Sequence, residues 1–189
     1  MTEETLVINT GTVEAEEQVI EPLTLYDENH PMLRIPIPEY TLPLPNPSMS
    51  LLIKRLKMTM RLYGGVGLSA NQCGVFERVF VIGTDYFQIA CINPKVIDVS
   101  DLIDGSQEGC LSFPGLYLKV PRPASVHVEF TDEFGEVKRT WLDGVTARCY
   151  LHELDHMNGI RFVEKVGSVA LSQARRKQIK LIKKVQRKK

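Results

Sequence analysis

The sequence contains no long hydrophobic run, and stretches such as Val79–Ile82 extend over only a few residues. A helix that spans a membrane needs about 20 consecutive apolar residues, so none is predicted. Lys and Arg are absent from residues 1–30, where acidic side chains accumulate instead. That stretch resembles neither a signal peptide nor an Arg-rich transit peptide. We therefore expect a cytoplasmic protein that contacts no membrane.

Cysteine is scarce and irregularly spaced, at Cys73, Cys91, Cys110 and Cys149. In a cytoplasmic protein such residues are more often free thiols or metal ligands than members of a disulfide framework. A chain of 189 residues buries enough surface to fold without a disulfide or a metal. Any metal site would therefore serve chemistry rather than folding.

Charge is balanced overall but segregated along the chain. Acidic residues dominate 1–30, whereas 175–189 carries only basic charges. Segregation of this kind is typical of a tail that contacts a polyanion. We expect a loosely ordered acidic extension over 1–20, a catalytic domain over 21–168 and a basic C-terminal helix and tail over 169–189.

Short strands lie between predicted helices. Asn46 followed by a proline predicts a helix start, and Gly64-Gly65 predicts its end. Its core-facing residues are expected at Leu52, Leu56, Thr59 and Tyr63. A second helix is expected from about Val145 to Asn158, and a third from about Ser168. Strands are predicted at 79–82, 91–97, 125–131 and 137–142. Strands in a block with helices apart from them predict an α+β fold.

The strongest chemical signal is H-E-L-D-H at residues 152–156, within the second predicted helix. Residues four apart share a helix face, so His152 and His156 can bind one metal ion. Glu153 would then lie beside a water on that metal and act as a general base. A catalytic site needs a third protein ligand. The residues leave this ligand open among Cys110, His127 and the carboxylates upstream.

Two further segments carry the remaining signals. G-V-G-L-S-A-N-Q at 65–72 has glycines that allow close backbone approach, and Gln72 offers an amide donor. Cys110 lies in E-G-C-L-S at 108–112. In this order, the three motifs resemble the signature motifs of the peptide deformylases. Ser69 stands where that family usually has Ala. The resemblance covers about residues 21–180.

The resemblance implies an α+β fold with antiparallel sheets around a central helix that carries H-E-x-x-H. It implies a hydrolase that removes the formyl group from N-terminal formyl-methionine of nascent polypeptides and releases formate. By motif position, Cys110, His152 and His156 would bind the metal, and Glu153 would be the general acid and base. Gln72 and the backbone amide of Leu111 would hold the developing oxyanion.

A thiolate ligand suits Fe²⁺, Zn²⁺, Co²⁺ or Ni²⁺ rather than Mg²⁺ or Ca²⁺. The residues alone would suggest zinc, and the resemblance implies Fe²⁺ as the native metal, for which the other three could substitute. The methionine side chain is expected in an apolar pocket with Tyr117 or Arg148 at its rim. Its walls, and the backbone that pairs with substrate, would come from Val66, Gly67, Gly109, Cys149 and His152.

Three positions depart from the family pattern: Leu151 stands where Gln is frequent, Tyr117 where Arg is frequent, and Arg148 where an apolar residue is usual. Tyr117 and Arg148 would have exchanged roles at the pocket, so that Tyr117 supplies the ring and Arg148 supplies the long cationic arm. The departures resemble divergent phage- or organelle-encoded members, and the acidic N-terminus argues against an organelle.

The basic tail is expected to dock a monomeric enzyme on ribosomal RNA, and DNA is not an expected partner. The alternative role for this tail is a solubilising helix. Its apolar residues roughly follow helical spacing with a break at Gln178: Leu171, Ala174, Leu181, Ile182 and Val185. Two alternative functions remain possible for the whole chain. One is an H-E-x-x-H zinc endopeptidase that needs no thiol, and the other is a ribosome-binding protein without activity. Metal binding by a Cys110→Ala variant would favour the endopeptidase.

Overall fold

The computed structural model describes residues 20–84 and 86–187. The expected acidic extension over 1–20 lies outside these residues except for Ile20. The described part of the chain forms helices α1 (Pro47–Leu62), α2 (Gly144–Met157) and α3 (Ser168–Gln186), and strands β1 (Gly67–Ser69), β2 (Val79–Gly83), β3 (Gln88–Val99), β4 (Ile103–Asp104), β5 (Gln107–Gly109), β6 (Tyr117–Lys119), β7 (Arg122–Pro123), β8 (Ser125–Thr131) and β9 (Val137–Asp143). None of the helices in 20–84 and 86–187 is long and apolar enough to cross a membrane.

Helix α1 begins where the sequence predicts. The side chain of Asn46 accepts hydrogen bonds from the amides of Ser48 and Met49, which satisfies two free donors of the first turn. The predicted core face is only partly right, because Tyr63 lies beyond the helix and is half exposed. The buried stripe instead follows Met49, Ile53, Leu56, Thr59 and Met60. Tyr63 and Leu62 are exposed because the chain leaves the helix at Gly64-Gly65, whereas Thr59 and Met60 of the last turn remain in the core.

Five strands form an antiparallel sheet in the order β1-β2-β3-β8-β9. Strand β8 coincides with the strand predicted at 125–131, and β9 runs one residue past its predicted end. Strand β3 begins at Gln88, earlier than predicted, because its first residues pair with β2. Two-stranded ribbons, β4-β7 and β5-β6, lie outside this sheet. Their strands are too short to be read from periodicity.

The sheet is covered on both faces. Along β2, Val79 and Val81 belong to the core cluster that contains α1. Phe80 and Ile82, which point to the other face, pack with residues of α2. Helix α2 is thus central. One side of it packs on the sheet, and Arg148 and His152 on the helix bond Glu108 of strand β5. This arrangement confirms the expected α+β fold with antiparallel sheets around the H-E-x-x-H helix.

Helix α3 packs over a third cluster that includes Phe113 and Phe162. Leu171 and Ala174 contact this cluster as their spacing suggests. Gln178, which interrupts the apolar spacing, was expected to break the buried face. It is instead buried, and its Nε2 donates to the carbonyl of Pro114 at 2.9 Å. A buried amide with this partner replaces the missing apolar contact.

Candidate active site

Helix α2 carries the H-E-x-x-H segment on its buried face. Gly144, with a φ of +53°, lets the chain turn directly from β9 into the helix. His156 is fully buried, and His152 and Glu153 are 7% and 3% exposed. The two imidazole rings lie edge to face with centroids 5.0 Å apart. Helical spacing therefore brings both rings to one place, as the sequence predicts.

Cys110 completes a cluster of three potential metal ligands. It follows strand β5, and its Sγ lies 3.3 Å from Nε2 of His156. Within the described residues, one ligand atom each from Cys110, His152 and His156 lies within 4.8 Å of the others. One thiol and two imidazoles match the donor set that divalent zinc or iron accepts in tetrahedral sites, with a fourth position left for a substrate or water. The residues thus fit a metal ion.

His127, the alternative ligand from sequence, lies elsewhere. It sits on β8 and stacks on the Trp141 ring at a centroid distance of 5.2 Å. Among the described residues, the cluster of potential ligands contains Cys110 and the two α2 histidines and does not contain His127. The segment that follows β5 thus brings the thiol, rather than His127, to the two imidazoles.

Glu108 orients one of the α2 histidines. Its Oε2 lies 3.0 Å from Nδ1 of His152, and its two oxygens also bind Nε and Nη2 of Arg122 at 2.5 and 2.9 Å. Burial opposes its ionisation, but the hydrogen bonds from His152 and Arg122 outweigh burial and lower the pKa of Glu108 to about 2. An ionised carboxylate only accepts, so Nδ1 carries the proton and Nε2 is left to face the thiol.

Arg148 supplies a fourth donor to this carboxylate. Its Nη1 donates to Oε1 of Glu108 at 2.6 Å and to the carbonyl of Val120 at 2.8 Å. Its Nη2 bonds the carbonyl and the carboxylate of Asp104 at 2.7 and 3.0 Å. The guanidinium therefore has partners on two sides, the buried Glu108 and the half-exposed Asp104. Arg148 also lines the cavity, as expected from sequence, and its bonds to these two carboxylates are an addition to that expectation.

Sequence reasoning gave this network no role. Glu108 stands in the quoted E-G-C-L-S segment, but Arg122 lies outside the three motifs, and their pairing joins residues 14 positions apart. Asp155, on α2, accepts from Nη1 of Arg122 at 2.9 Å and pairs with Lys165 at 3.0 Å. The signal available in the sequence was an acidic residue, such as Glu108, within a segment whose other residues suggest burial. A buried carboxylate requires cationic partners, so such a residue predicts a buried ion pair.

Glu153 lies beside the cluster, between β1 and the open cavity. The hydroxyl of Ser69 donates to its Oε2 at 2.6 Å. Burial raises the pKa of Glu153 above the usual carboxyl range. A side chain on Gly67 would collide with the Oε1 atom of Glu153 and the sulfur of Cys149, which explains a glycine here. A buried carboxyl group with a raised pKa holds its proton more readily than an exposed one, which suits a group that both accepts and returns a proton.

Gln72 faces the same space from the short helical turn after β1. Its Oε1 accepts from the amide of Ser69 at 2.9 Å, so the amide assignment follows from this partner. Its Nε2 lies 3.2 Å from Oγ of Ser112 and 3.4 Å from Sγ of Cys110. The NH₂ group therefore points at the cluster. Leu111, whose amide was the second predicted oxyanion donor, follows Cys110 directly and lines the cavity.

A cavity of about 500 Å³ opens onto this cluster. All the residues predicted to contact substrate line it: Val66, Gly67, Gly109, Tyr117, Arg148 and Cys149. The Tyr117 ring lies over Gly109, where any side chain would meet the ring. Sequence reasoning missed other lining residues, including Tyr63, Phe113 and Val145. They come from three separate segments, and only the fold brings them together.

Two buried imidazoles on an H-E-x-x-H helix and a thiol from a neighbouring loop, next to an open cavity and a buried carboxylate, are the arrangement typical of metal-dependent hydrolases. Comparisons with known proteins agree with that class. The family model of polypeptide deformylase matches residues 22–171. The chain belongs to the polypeptide deformylase family, whose members are metalloenzymes.

Individual relatives give the extent of the likeness. A peptide deformylase of Synechococcus sp. (strain RCC307) is 42% identical over 120 residues, which cover 61% of the chain. The chain spans 60% of the length of that relative. The structure of a peptide deformylase from Synechococcus elongatus in complex with actinonin superposes with a TM-score of 0.77 and 35% identity, covering 81% of the chain and 85% of the relative. The structure of a peptide deformylase from Legionella pneumophila superposes with a TM-score of 0.78 and 34% identity. The match covers 89% of the chain and 99% of that relative.

Proposed function

We propose that the protein removes the formyl group from the N-terminal formyl-methionine of nascent polypeptides. The reaction consumes one water, breaks the formyl C–N bond and yields formate and a free amine. The observation that carries the proposal is the Cys110, His152 and His156 cluster with Glu153 beside it, at the base of an open cavity. Family membership supports the same activity.

Sγ of Cys110 and Nε2 of the two histidines would hold the metal, which we propose to be Fe²⁺, with Zn²⁺, Ni²⁺ or Co²⁺ able to substitute. When bound, such a cation supplies Lewis acidity that polarises a carbonyl oxygen and makes water easier to deprotonate. The softness of a thiolate supports a transition metal over Mg²⁺ or Ca²⁺. Glu108 holds His152 in the required tautomer through Nδ1.

Glu153 would take the proton from the attacking water and deliver one to the departing amine. Its raised pKa supports this double role, because a carboxyl group that titrates nearer neutrality both accepts and returns a proton. The Nε2 group of Gln72 and the amide of Leu111 would donate to the oxygen that gains charge in the transition state. The Gln72 amide is already oriented by Ser69, so little reorganisation is needed.

The methionine side chain would enter the cavity between Val66, Gly109, Cys149 and the His152 ring, with Tyr117 and Arg148 at its rim. Substrate backbone would pair with the chain at Val66 and Gly67 as an added strand. Burial raises the pKa of the Cys149 thiol, which therefore stays neutral. A neutral wall of this kind suits a flexible thioether and disfavours a charged side chain.

The decisive experiment measures formate released from formyl-Met-Ala-Ser by anaerobically purified protein, with metal content measured on the same sample. We expect turnover that stops on chelation and returns with Fe²⁺, and inhibition by actinonin, which the Synechococcus elongatus relative binds. Formyl-Asp and formyl-Lys peptides should be cleaved more slowly. Cleavage of internal peptide bonds without formate release would favour the endopeptidase, and no turnover at full metal occupancy would favour the binding protein.

We further propose that α3 docks this enzyme, as a cytoplasmic monomer, on ribosomal RNA. Lys180, Lys183, Lys184 and Arg187 line a shallow groove on the outer side of the helix. Phosphate contacts release counterions, so binding should fall steeply with salt. The inner side has a different task, because Gln178 bonds the carbonyl of Pro114. Deleting all of 175–189 would therefore disturb the domain as well as the tail.

A charge-reversal pair tests docking without this complication. Lys183→Glu with Lys184→Glu should reduce co-sedimentation with ribosomes, while formyl-tripeptide turnover stays unchanged. Lys54→Glu with Arg61→Glu, on α1, makes the same change in net charge on another surface and is the matched control. Equal loss of binding by both pairs would reveal a nonspecific charge effect. Unchanged binding by the α3 pair would contradict docking through this helix.

A further inference from the structure

Ser69 makes a contact to Glu153 that the proposed reaction has not yet used. Ser69 is fully buried at the end of β1. Its Oγ lies 2.6 Å from the Oε2 atom of Glu153 and 3.2 Å from the Glu153 carbonyl. A hydroxyl has one proton to donate, and the shorter contact to the carboxylate is the stronger. The serine is therefore a directed donor to one carboxylate oxygen.

The two carboxylate oxygens of Glu153 have different surroundings as a result. Within residues 20–84 and 86–187, Ser69 is the hydrogen-bond donor recorded for this carboxylate, and it binds Oε2 alone. Oε1 packs beside Gly67, a cavity-lining residue, in space that a larger side chain would occupy. One oxygen is thus anchored, and the other has no hydrogen-bond donor among the described residues.

The same residue also orients Gln72, but through a different atom. Its backbone amide, not its hydroxyl, donates to Oε1 of Gln72 at 2.9 Å. An alanine at this position keeps the backbone amide and loses only the hydroxyl. Replacement of Ser69 by Ala therefore separates the hydroxyl contacts, which include Glu153 and the capping contact with the backbone of Gln72, from the contact to the Gln72 side chain.

We propose that Ser69 is a positioning residue, whose hydroxyl anchors Oε2 of Glu153 so that Oε1 faces the reacting water and amine. The inference rests on the proposed function, in which Glu153 moves the protons. Without the hydroxyl, the Glu153 carboxylate can adopt rotamers in which neither oxygen points at substrate. Proton transfer requires an oxygen within hydrogen-bond distance, so these rotamers are unproductive. Metal binding and substrate binding use other side chains, so they should not depend on Ser69.

The test compares Ser69→Ala with the wild type in steady-state deformylation of formyl-Met-Ala-Ser. We expect kcat to fall about tenfold, the size expected for a lost hydrogen bond to a charged group. KM and metal content should stay within about twofold, because neither depends on the orientation of this carboxylate. Ser69→Thr retains a hydroxyl at the same place and should recover most of kcat per metal-loaded molecule.

Thr59→Val is the matched control. Thr59 is also fully buried, and its hydroxyl bonds the carbonyl of Arg55 at 2.8 Å, away from the cavity. This variant should lower thermal stability and leave kcat unchanged. A wild-type kcat in Ser69→Ala would overturn the proposal, and so would a loss confined to KM or metal content, or an equal loss of kcat in the control.

A second measurement separates this inference from the proposed function. Unfolding equilibria of Ser69→Ala, Glu153→Leu and the double variant form a cycle that needs no turnover. We expect the two single effects not to add, because each change removes the same hydrogen bond. Additive effects would overturn the contact even if the wild type is an active deformylase. Absence of formate release with a non-additive cycle would instead remove the deformylase function and, with it, the positioning role.

Discussion

Replacing Arg148 by Met removes one of the two guanidinium groups that hold Glu108. The change breaks the bond to Glu108 and leaves the carbonyls of Val120 and Asp104 without this donor. Removing one partner of a buried ion pair costs about 3–5 kcal/mol. Arg122 and His152 still bind the carboxylate, so we expect the lower end, about 3 kcal/mol. For a chain of this size that loss lowers Tm by roughly 6–12 °C.

The assay is thermal and urea unfolding of the metal-loaded protein at neutral pH. Arg139→Met is the matched control, because Arg139 pairs with Glu129 but its side chain is 65% exposed. An exposed pair contributes about 0–1 kcal/mol, so the control should unfold almost like the wild type. Equal stability of Arg148→Met and wild type would refute the network reasoning. A large rise in KM without a loss of stability would show that Arg148 acts through substrate at the cavity rim and not through Glu108.

Three further predictions concern the chemistry. Glu153→Ala should keep its metal, since the ligand cluster is intact, and lose about 10²–10⁴ in kcat, while wild-type turnover would remove Glu153 from the mechanism. Gln72→Leu should lower kcat about 10²–10³-fold with little change in KM, whereas an effect on KM alone would indicate a ground-state contact. Cys110→Ala should lose stoichiometric metal, measured by elemental analysis, and full metal retention would favour the endopeptidase alternative.

The sequence predicted the parts of this molecule that depend on local spacing. The α2 histidines share a face because of helical geometry, and the Asn46 cap and strand β8 follow local signals of the same kind. The cavity lining was predicted for six residues through resemblance to a family, not through spacing. The third ligand shows the limit, since spacing left His127 as open as Cys110 and only the motif favoured the thiol.

Contacts between distant segments were beyond such reasoning. The bonds of Glu108 to Arg148 and His152 span 40 and 44 residues, and no local pattern encodes them. Arg148 was therefore expected only as a cationic arm at the pocket rim, and its bonds to Glu108 and Asp104 were not foreseen. Gln178 was read as a break in an apolar face for the same reason. Its partner, the Pro114 carbonyl, becomes visible only when α3 is packed.

The contacts of α3 with the rest of the domain can form only after the end of the chain has been synthesised. Arg175 Nη1 bonds Glu28 at 2.7 Å, a contact between residues 147 positions apart. At about 5–20 residues per second, roughly 7–30 s of synthesis separate these two partners. The loop that carries Cys110 is made 68 residues before Gln178, whose amide bonds the Pro114 carbonyl of that loop. The loop therefore exists for roughly 3–14 s before this contact can form, and the contact is among the last that a newly made chain completes.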